Sequence, residues 1–144
     1  MKEIKVFVSQ PMHGLTEMEI LEKRIEALER VVKCLEEKGL TDFSLMPINY
    51  VGRQITVEDE CRMKVLGLDP ENPPRTWWLG QAIQEMAAAD LFVFGPGWFS
   101  ARGCNVERKI YDLYFKDVPA VGVTCKRVLN DEDLDKLVAK FKES

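Results

Sequence analysis

The 144-residue sequence has one histidine, only four cysteines and no excess of positive charge. With a single histidine and no Cys-x-x-Cys pair, it has no zinc-ligand pattern, and we expect neither a metal nor another cofactor. Nothing indicates a disulfide framework, so we interpret the cysteines as reduced thiols that pack as small apolar side chains. They are Cys34, Cys61, Cys104 and Cys125.

Basic surface and long apolar segments are also scarce. A net charge of −4 and an isoelectric point near 5.2 argue against a nucleic-acid polymer as partner, since such binders normally present a basic surface. A small anionic ligand held by a few local donors is compatible with this charge. The apolar runs are too short to span a bilayer, and the N-terminus lacks the apolar core of a signal peptide. We expect a cytoplasmic protein without a membrane partner, folded as one domain over residues 1–144.

Short β-rich runs alternate with segments of helical periodicity. The first helix is the clearest, because Thr16 and Glu19 form a capping-box signature and Gly39 provides a stop. The weakly periodic stretch 49–74 predicts an irregular excursion with room for one short helix. The predicted strands are 4–9, 43–48, 90–95 and 119–124. The predicted helices are 16–39, 75–89, 104–115 and 130–143, the last capped by Asn130 or Asp131.

This alternation is typical of an open parallel α/β sheet with helices on both faces. In such sheets ligands bind beyond the carboxyl ends of the strands, near the point where the strand order reverses. Two loops hold that position: SQPMHG (9–14) after the first strand and GPGWFSARG (95–103) after the third. They are also the chemically most unusual loops of the chain. We therefore expect the ligand site where they meet.

One charged residue interrupts the apolar side of the predicted helix 104–115. At about 100° per residue, Glu107 falls between Tyr114 and Tyr111, whereas the other charged residues fall in the opposite arc. A carboxylate aimed at a core face is costly unless it is hydrogen-bonded or opens onto a polar cleft. Glu107 could cap its own helix or pair with Arg102. Alternatively it faces a ligand cleft, kept ionised by the helix N-terminus, where it could attack an electrophilic carbon or bind sugar hydroxyls.

Three segments, KVFVSQPMHGL, ADLFVFGPGWFSARGCNVE and VPAVGV, together resemble the nucleoside 2-deoxyribosyltransferase-like superfamily. The similarity is to its small bacterial and phage branch, which carries SQPM-x-GL and GW-x-x-ARGC-x-x-E. It covers nearly the whole chain, although residues 51–74 match poorly. The resemblance implies a flavodoxin-like, doubly wound parallel sheet of four to five strands. It also implies a homodimer or larger homo-oligomer whose subunits complete each other's sites.

The superfamily's enzymes cleave the N-glycosidic bond of deoxynucleosides or their 5′-monophosphates. A glutamate attacks the anomeric carbon, and water or a second base then resolves the covalent glycosyl-enzyme. That glutamate lies four residues after a glycine in the loop following the third strand. The resemblance therefore implies Glu107, four residues after Gly103, as the nucleophile, and a nucleoside or nucleotide as the small-molecule partner.

The resemblance also implies that the loop after the first strand and nearby serines hold a 5′-phosphate. Four residues match that loop by position: Ser9, Gln10, Pro11 and Met12. Ser100 adds a hydroxyl, and Arg102 a cation shaped for bidentate phosphate contact. Ser9, Gln10 and Arg102 could equally be ordinary loop residues. The predicted binding set is completed by Gly14, Asp90, Gly97, Trp98, Gly103 and Asn105.

Two residues of that set have a second interpretation. The indole of Trp98 could stack on a base or cover the cleft, but tryptophans most often pack, as we expect for Trp77 and Trp78. Asp90 opens the third predicted strand, where an aspartate more often ties loop amides than binds a ligand. Both therefore stay in the predicted site with a structural alternative.

The chain departs from the superfamily at its acids. Ala82 and Ala101 stand where two further acids are expected, and Asn105 replaces a glycine. Protonation of the departing base is typically worth about 10²–10⁴-fold, so the proton must come from elsewhere. His13 is the predicted second catalytic residue, since imidazole titrates near neutral pH; the alternatives are a solvated loop histidine, or Glu85 as the acid.

The sequence therefore predicts an enzyme that cleaves the N-glycosidic bond of a nucleoside 5′-phosphate or related nucleotide. Hydrolysis is favoured over base transfer, because no pocket for an acceptor base can be argued. The alternative is a non-catalytic nucleotide-binding module, a sensor or sponge for a nucleotide signal, which would keep the loops and lose the acids. An assembly domain would explain neither Glu107 nor the loops.

Overall fold

A computed structural model describes residues 1–142 and confirms the predicted α/β architecture. The strands are β1 (Lys2–Ser9), β2 (Phe43–Pro47), β3 (Leu91–Phe94), β4 (Ala120–Val123) and β5 (Val128–Leu129). The helices are α1 (Glu17–Glu37), α2 (Val57–Val65), α3 (Arg75–Met86), α4 (Arg102–Tyr114) and α5 (Asp133–Lys142), with a 3₁₀ turn at Trp98–Ser100. Glu143, the predicted end of the last helix, lies outside the described residues.

The five strands form one sheet in the order β2-β1-β3-β4-β5. The first four are parallel, as predicted, and this is the flavodoxin-like order, which reverses between β1 and β3. The resemblance implies four to five strands, but the fifth, β5, is antiparallel to β4, and its residues were not predicted. It has two residues, too few for a periodic signal, and it follows a tight turn in which the Thr124 hydroxyl accepts from the amides of Lys126 and Arg127.

Side chains alternate between two cores along each strand, because successive strand residues point to opposite faces. Val6 and Val8 lie in the core under α1 and α5. Phe7, Phe92 and Tyr111 lie in the second core, under α3 and α4. Helices therefore cover both faces of the sheet. The face toward which the last residue of a strand points decides which helix its side chain can contact.

Helix ends agree with the sequence where a cap signature is present. Thr16 and Glu19 make both hydrogen bonds of the predicted capping box of α1. The stretch 49–74 does contain one short helix, α2, started by a similar box of Thr56 and Asp59. α4 begins at Arg102 instead of residue 104, and no side chain caps it, so its start carried no signal in the sequence.

The excursion between β2 and α3 is held to the helices by a polar network. The Arg53 guanidinium donates to both carboxylate oxygens of Glu85, at 2.7 and 2.6 Å, and to the Gln81 amide oxygen at 2.8 Å. Gln81 in turn donates to Asp59 of α2 at 3.0 Å. The four cysteines are free, as predicted, but Cys61 and Cys125 are exposed and do not pack as apolar side chains. Within the part of the chain that the structure describes, no helix has the length and apolar character needed to cross a membrane.

Candidate functional site

The loops after β1 and β3 start side by side at the carboxyl edge of the sheet. Ser9 ends β1, and its carbonyl accepts from the Gly95 amide at 2.8 Å. A Cβ on Gly95 would lie only 3.3 Å from Cβ of Gln10, so the close approach favours glycine there. The two unusual loops therefore meet at the switch point, as predicted.

A serine and a glutamate face each other at this point. Ser9 has the same orientation as Phe7, toward α4, and its hydroxyl donates to Oε1 of Glu107 at 2.7 Å. Ser9 is buried and Glu107 is half-buried. Glu107 lies on the side of α4 that buries Cys104 and Tyr111, as the helical periodicity predicts. Its hydrogen bond is to Ser9 of β1, and not to its own helix end or to Arg102.

Burial raises the pKa of Glu107 to about 7, and the charge of Glu85 adds to that rise. The Ser9 hydrogen bond and the positive charge of Arg24 lower the pKa but do not offset burial. The expectation that the helix N-terminus keeps Glu107 ionised is therefore wrong. Because α4 begins at Arg102, Glu107 lies in its second turn, and the dipole effect falls off within the first. Near neutral pH both protonation states are populated, which suits a nucleophile or an acid–base group.

Arg24 of α1 is buried beside this pair at 5% exposure. Its Nε donates to the Gln10 amide oxygen at 2.6 Å, and its Nη1 donates to the Asn49 carbonyl. Gln10 donates in turn to the carbonyl of Ile20 at 3.0 Å. The Asn49 side chain bonds both backbone groups of Val8, at 2.9 and 2.7 Å. The end of β1 is thus fixed from α1 and from the segment after β2.

The charge of Arg24 is only partly compensated. Burial lowers its pKa to about 10, whereas the nearby Glu107 carboxylate raises it, so the guanidinium stays charged near neutral pH. Its Nη2 has no hydrogen-bond partner within residues 1–142. Sequence analysis missed Arg24, although it interrupts the helical apolar spacing of Ile20, Ala27 and Val31 much as Glu107 does in α4. The signal was therefore present.

A cleft of about 350 Å³ opens on the α1 side of the β1 end. Small-molecule sites usually measure about 300–1,000 Å³. Its walls include Gln10, Pro11 and His13 from the first loop, Gly95 and Pro96 from the second, and Arg24 from α1. His13 is exposed at its rim, and Gln10 is occupied by its bonds within the protein. Met12 is exposed, and Gly14 takes a left-handed conformation with φ of 78°.

Polar side chains of the second loop bind the loop itself. The Ser100 hydroxyl donates to the Gly97 carbonyl at 2.9 Å, and the Asn105 amide donates to the carbonyls of Phe99 and Ala101. Two residues at the start of α4 are exposed, Arg102 and Gly103. Ser100 and Asn105 thus have a structural partner, which the sequence pattern did not reveal.

Trp98 is half-buried and packs in the second core. Its ring lies 5.3 Å from that of Phe94, and the Arg108 guanidinium lies 5.7 Å over its indole. The packing interpretation of Trp98 is the one that the structure shows. Arg108, predicted on the polar arc of α4, is half-buried because aromatic faces of this core accept its cation.

Asp90 lies away from the site. It precedes β3, at the opposite edge of the sheet from Ser9, where its carboxylate accepts from the Lys5 amide at 2.9 Å and from the Lys140 ammonium at 3.3 Å. Its inclusion among the ligand-binding residues is therefore wrong, and its structural alternative is correct. The physical reason is simple: in a parallel strand the first residue and the last lie at opposite edges.

The site thus combines a carboxyl group whose pKa is about 7, a serine that donates a hydrogen bond to it and a buried arginine, at the switch point of the sheet. Comparison of the chain with protein-family models, with curated proteins and with solved structures gave no significant match.

Proposed function

We propose that this protein hydrolyses the N-glycosidic bond of a nucleoside 5′-phosphate or related nucleotide, with Glu107 as nucleophile. One observation carries the proposal: Glu107, whose pKa is about 7, accepts a hydrogen bond from the Ser9 hydroxyl at the carboxyl edge of the sheet, where the strand order reverses between β1 and β3. The resemblance of both loops to the nucleoside 2-deoxyribosyltransferase-like superfamily supports it. That superfamily uses a glutamate at the matching position.

In the proposed reaction the ionised Glu107 attacks the anomeric carbon while the bond from that carbon to the base breaks. The bonding electrons leave with the base nitrogen, and the base takes up a proton. Water then attacks the same carbon and returns one proton to the acid that protonated the base, while the sugar–Glu107 ester opens and the carboxylate is regenerated. The Ser9 hydroxyl holds one carboxylate oxygen at 2.7 Å and so fixes the direction of attack. We assign the proton for the base to His13, at the rim of the adjoining cleft.

A non-catalytic nucleotide-binding module is the second candidate. It is favoured by Ala82, which packs against the second core where the superfamily has an acid, and by Ala101, which has no proton to give. Glu85, the remaining nearby acid, is held in an ion pair by Arg53 at 2.6 Å. A binding module would use the same edge of the sheet but would leave the glycosidic bond intact.

Replacing Glu107 by glutamine should lower base release by at least about 10³-fold, because removal of a nucleophile removes the covalent route. The measurement is chromatography of free base from a panel of nucleoside 5′-phosphates, with binding followed in parallel by thermal shift. Glu29→Gln, an exposed carboxylate on α1, is the matched control and should keep full activity. Tight binding of an intact nucleotide without turnover, unchanged in Glu107→Gln, would establish the binding module instead.

The rate of base release should rise with pH through about 7, since only the ionised Glu107 attacks. Ser9→Ala should move this rising part of the pH profile to higher pH, because the Ser9 hydrogen bond lowers the pKa of Glu107. The measurement is kcat/KM against pH for both proteins. An unmoved rising part in Ser9→Ala would mean that another group controls the rate.

A further inference from the structure

The cleft beside β1 is positively charged within an acidic protein. Three cationic residues line it, Lys23, Arg24 and Arg30, against a single carboxylate, that of Glu26. The chain as a whole has a net charge of −4. A local excess of cations in a concave, partly desolvated space attracts anions more strongly than the same charges do on an open surface.

Arg24 has hydrogen-bonding capacity that the protein does not use. Its Nε and Nη1 are bound to Gln10 and Asn49, which fix the guanidinium plane. Its Nη2 is buried and has no partner in residues 1–142. An unpaired donor of a buried guanidinium is costly, so a ligand atom that accepts from it would recover a considerable free energy.

Arg30, also on α1, lines the same cleft. Its Nη2 donates to the Cys125 carbonyl at 2.8 Å and so connects α1 with the turn between β4 and β5. Its Nη1 donates to the Glu26 carbonyl at 3.3 Å. The cation is therefore held at the cleft by two backbone contacts, while Lys23, which is exposed, is free to reorient.

We propose that this cleft is a binding site for a phosphate-class oxyanion, with Arg24 Nη2 as its buried donor and Lys23 and Arg30 as its outer cations. A tetrahedral dianion can accept from an arginine and from flanking cations at once, and a planar guanidinium suits it. The walls of this cleft include none of Glu107, Ser100 and Arg102, although Arg24 lies near enough to the Glu107 carboxylate for their charges to interact. The proposed anion site therefore stands whether or not base release is observed.

The first experiment titrates the full chain with inorganic phosphate at constant ionic strength, by calorimetry and by the NMR signal of Arg24 Nε–H. We expect saturable binding and a shift of that signal along the same curve. Arg24→Lys, which removes the signal, assigns it. The double variant Lys23→Gln/Arg30→Gln should weaken phosphate binding by at least about tenfold, given the charge removed. Lys33→Gln/Arg62→Gln, at two exposed positions, is the matched control and should bind as the wild type does.

A second arm identifies the source of the oxyanion. A nucleoside 5′-monophosphate that binds more tightly than phosphate, and is weakened by Lys23→Gln/Arg30→Gln, would assign the cleft to a nucleotide's phosphate. Equal affinity for both would assign it to free phosphate. Each result supports the site, and the parent nucleoside, without phosphate, should be unaffected by the double variant.

Two results would overturn the proposal. One is the absence of saturable phosphate binding by the wild-type chain. The other is binding that neither moves the Arg24 signal nor weakens in Lys23→Gln/Arg30→Gln, because the anion would then lie elsewhere. Glu107→Gln should retain saturable phosphate binding, with equal or higher affinity because a negative charge near Arg24 is removed, so failure of base release and failure of this site are distinguishable.

Discussion

Glu107→Gln is expected to raise the free energy of unfolding by about 2–3 kcal/mol at pH 8, and by much less at pH 4.5. The folded protein holds this carboxyl at a pKa of about 7, against 4.5 as its ordinary value, mainly through burial. Between those values the folded state binds more protons than the unfolded state, so stability falls as pH rises through this window. Glutamine cannot ionise, but its amide oxygen can still accept from Ser9. The residue that we assign to catalysis therefore costs stability at working pH.

The measurement is denaturant unfolding of both proteins at several values between pH 4.5 and 8. The difference between the two curves isolates Glu107, since all other groups titrate in both. Glu29→Gln serves as control, because exposed substitutions usually stay within about 0.5 kcal/mol. If Glu107→Gln were less stable than the wild type at pH 8, the carboxylate would have to be a net stabilising partner and not a desolvated charge.

Arg24→Met should lower the free energy of unfolding by about 3 kcal/mol, the usual scale for removing one member of a buried charged network. The methionine keeps much of the volume but leaves the Gln10 amide oxygen and the Asn49 carbonyl without their donor. It also removes the positive charge that lowers the pKa of Glu107, so that pKa should rise further. Arg62→Met, on the exposed side of α2, is the matched control and should be nearly neutral.

The double variant Arg24→Met/Glu107→Gln tests the coupling directly. Above pH 7 the double variant should be more stable than the sum of the two single changes predicts, because the attraction between Arg24 and Glu107 is then lost only once. A double variant that equals that sum would show that the two side chains do not interact. A cost of Arg24→Met no larger than that of Arg62→Met would contradict the role of the network at the end of β1.

The parallel sheet could be predicted because its strands are short apolar runs separated by long periodic helices. Ser9 and Glu107 could be placed in one site because the sequence shows both features: Ser9 is the last residue of a strand, and Glu107 is the one charged residue on the apolar side of a helix. The hydrogen bond between them fixes the pair. Arg24 was visible in the same way, as a charged residue among the buried positions of α1. Only the apolar positions of that helix were used in the prediction, and Arg24 was taken for a surface residue.

Other features were decided by tertiary contacts that no local pattern encodes. Whether Ser100 and Asn105 face a ligand depends on which backbone carbonyl comes within reach when the loop closes. Trp98 could be packed or open until the position of Phe94 and Arg108 was known. The pKa of Glu107 depends on burial by distant elements, whereas the sequence offered only its place near a helix start.

The side chain of Asn49 acts as a peptide unit of the sheet. β2 ends at Pro47, yet β1 continues to Ser9, so the amide and carbonyl of Val8 would lack a partner from β2. The Asn49 amide supplies both an acceptor and a donor, which neither aspartate nor leucine could do. β2 can therefore leave the sheet early at no cost in pairing. That departure lets the following segment carry the Asn49 carbonyl to Arg24 and the Arg53 guanidinium to Glu85.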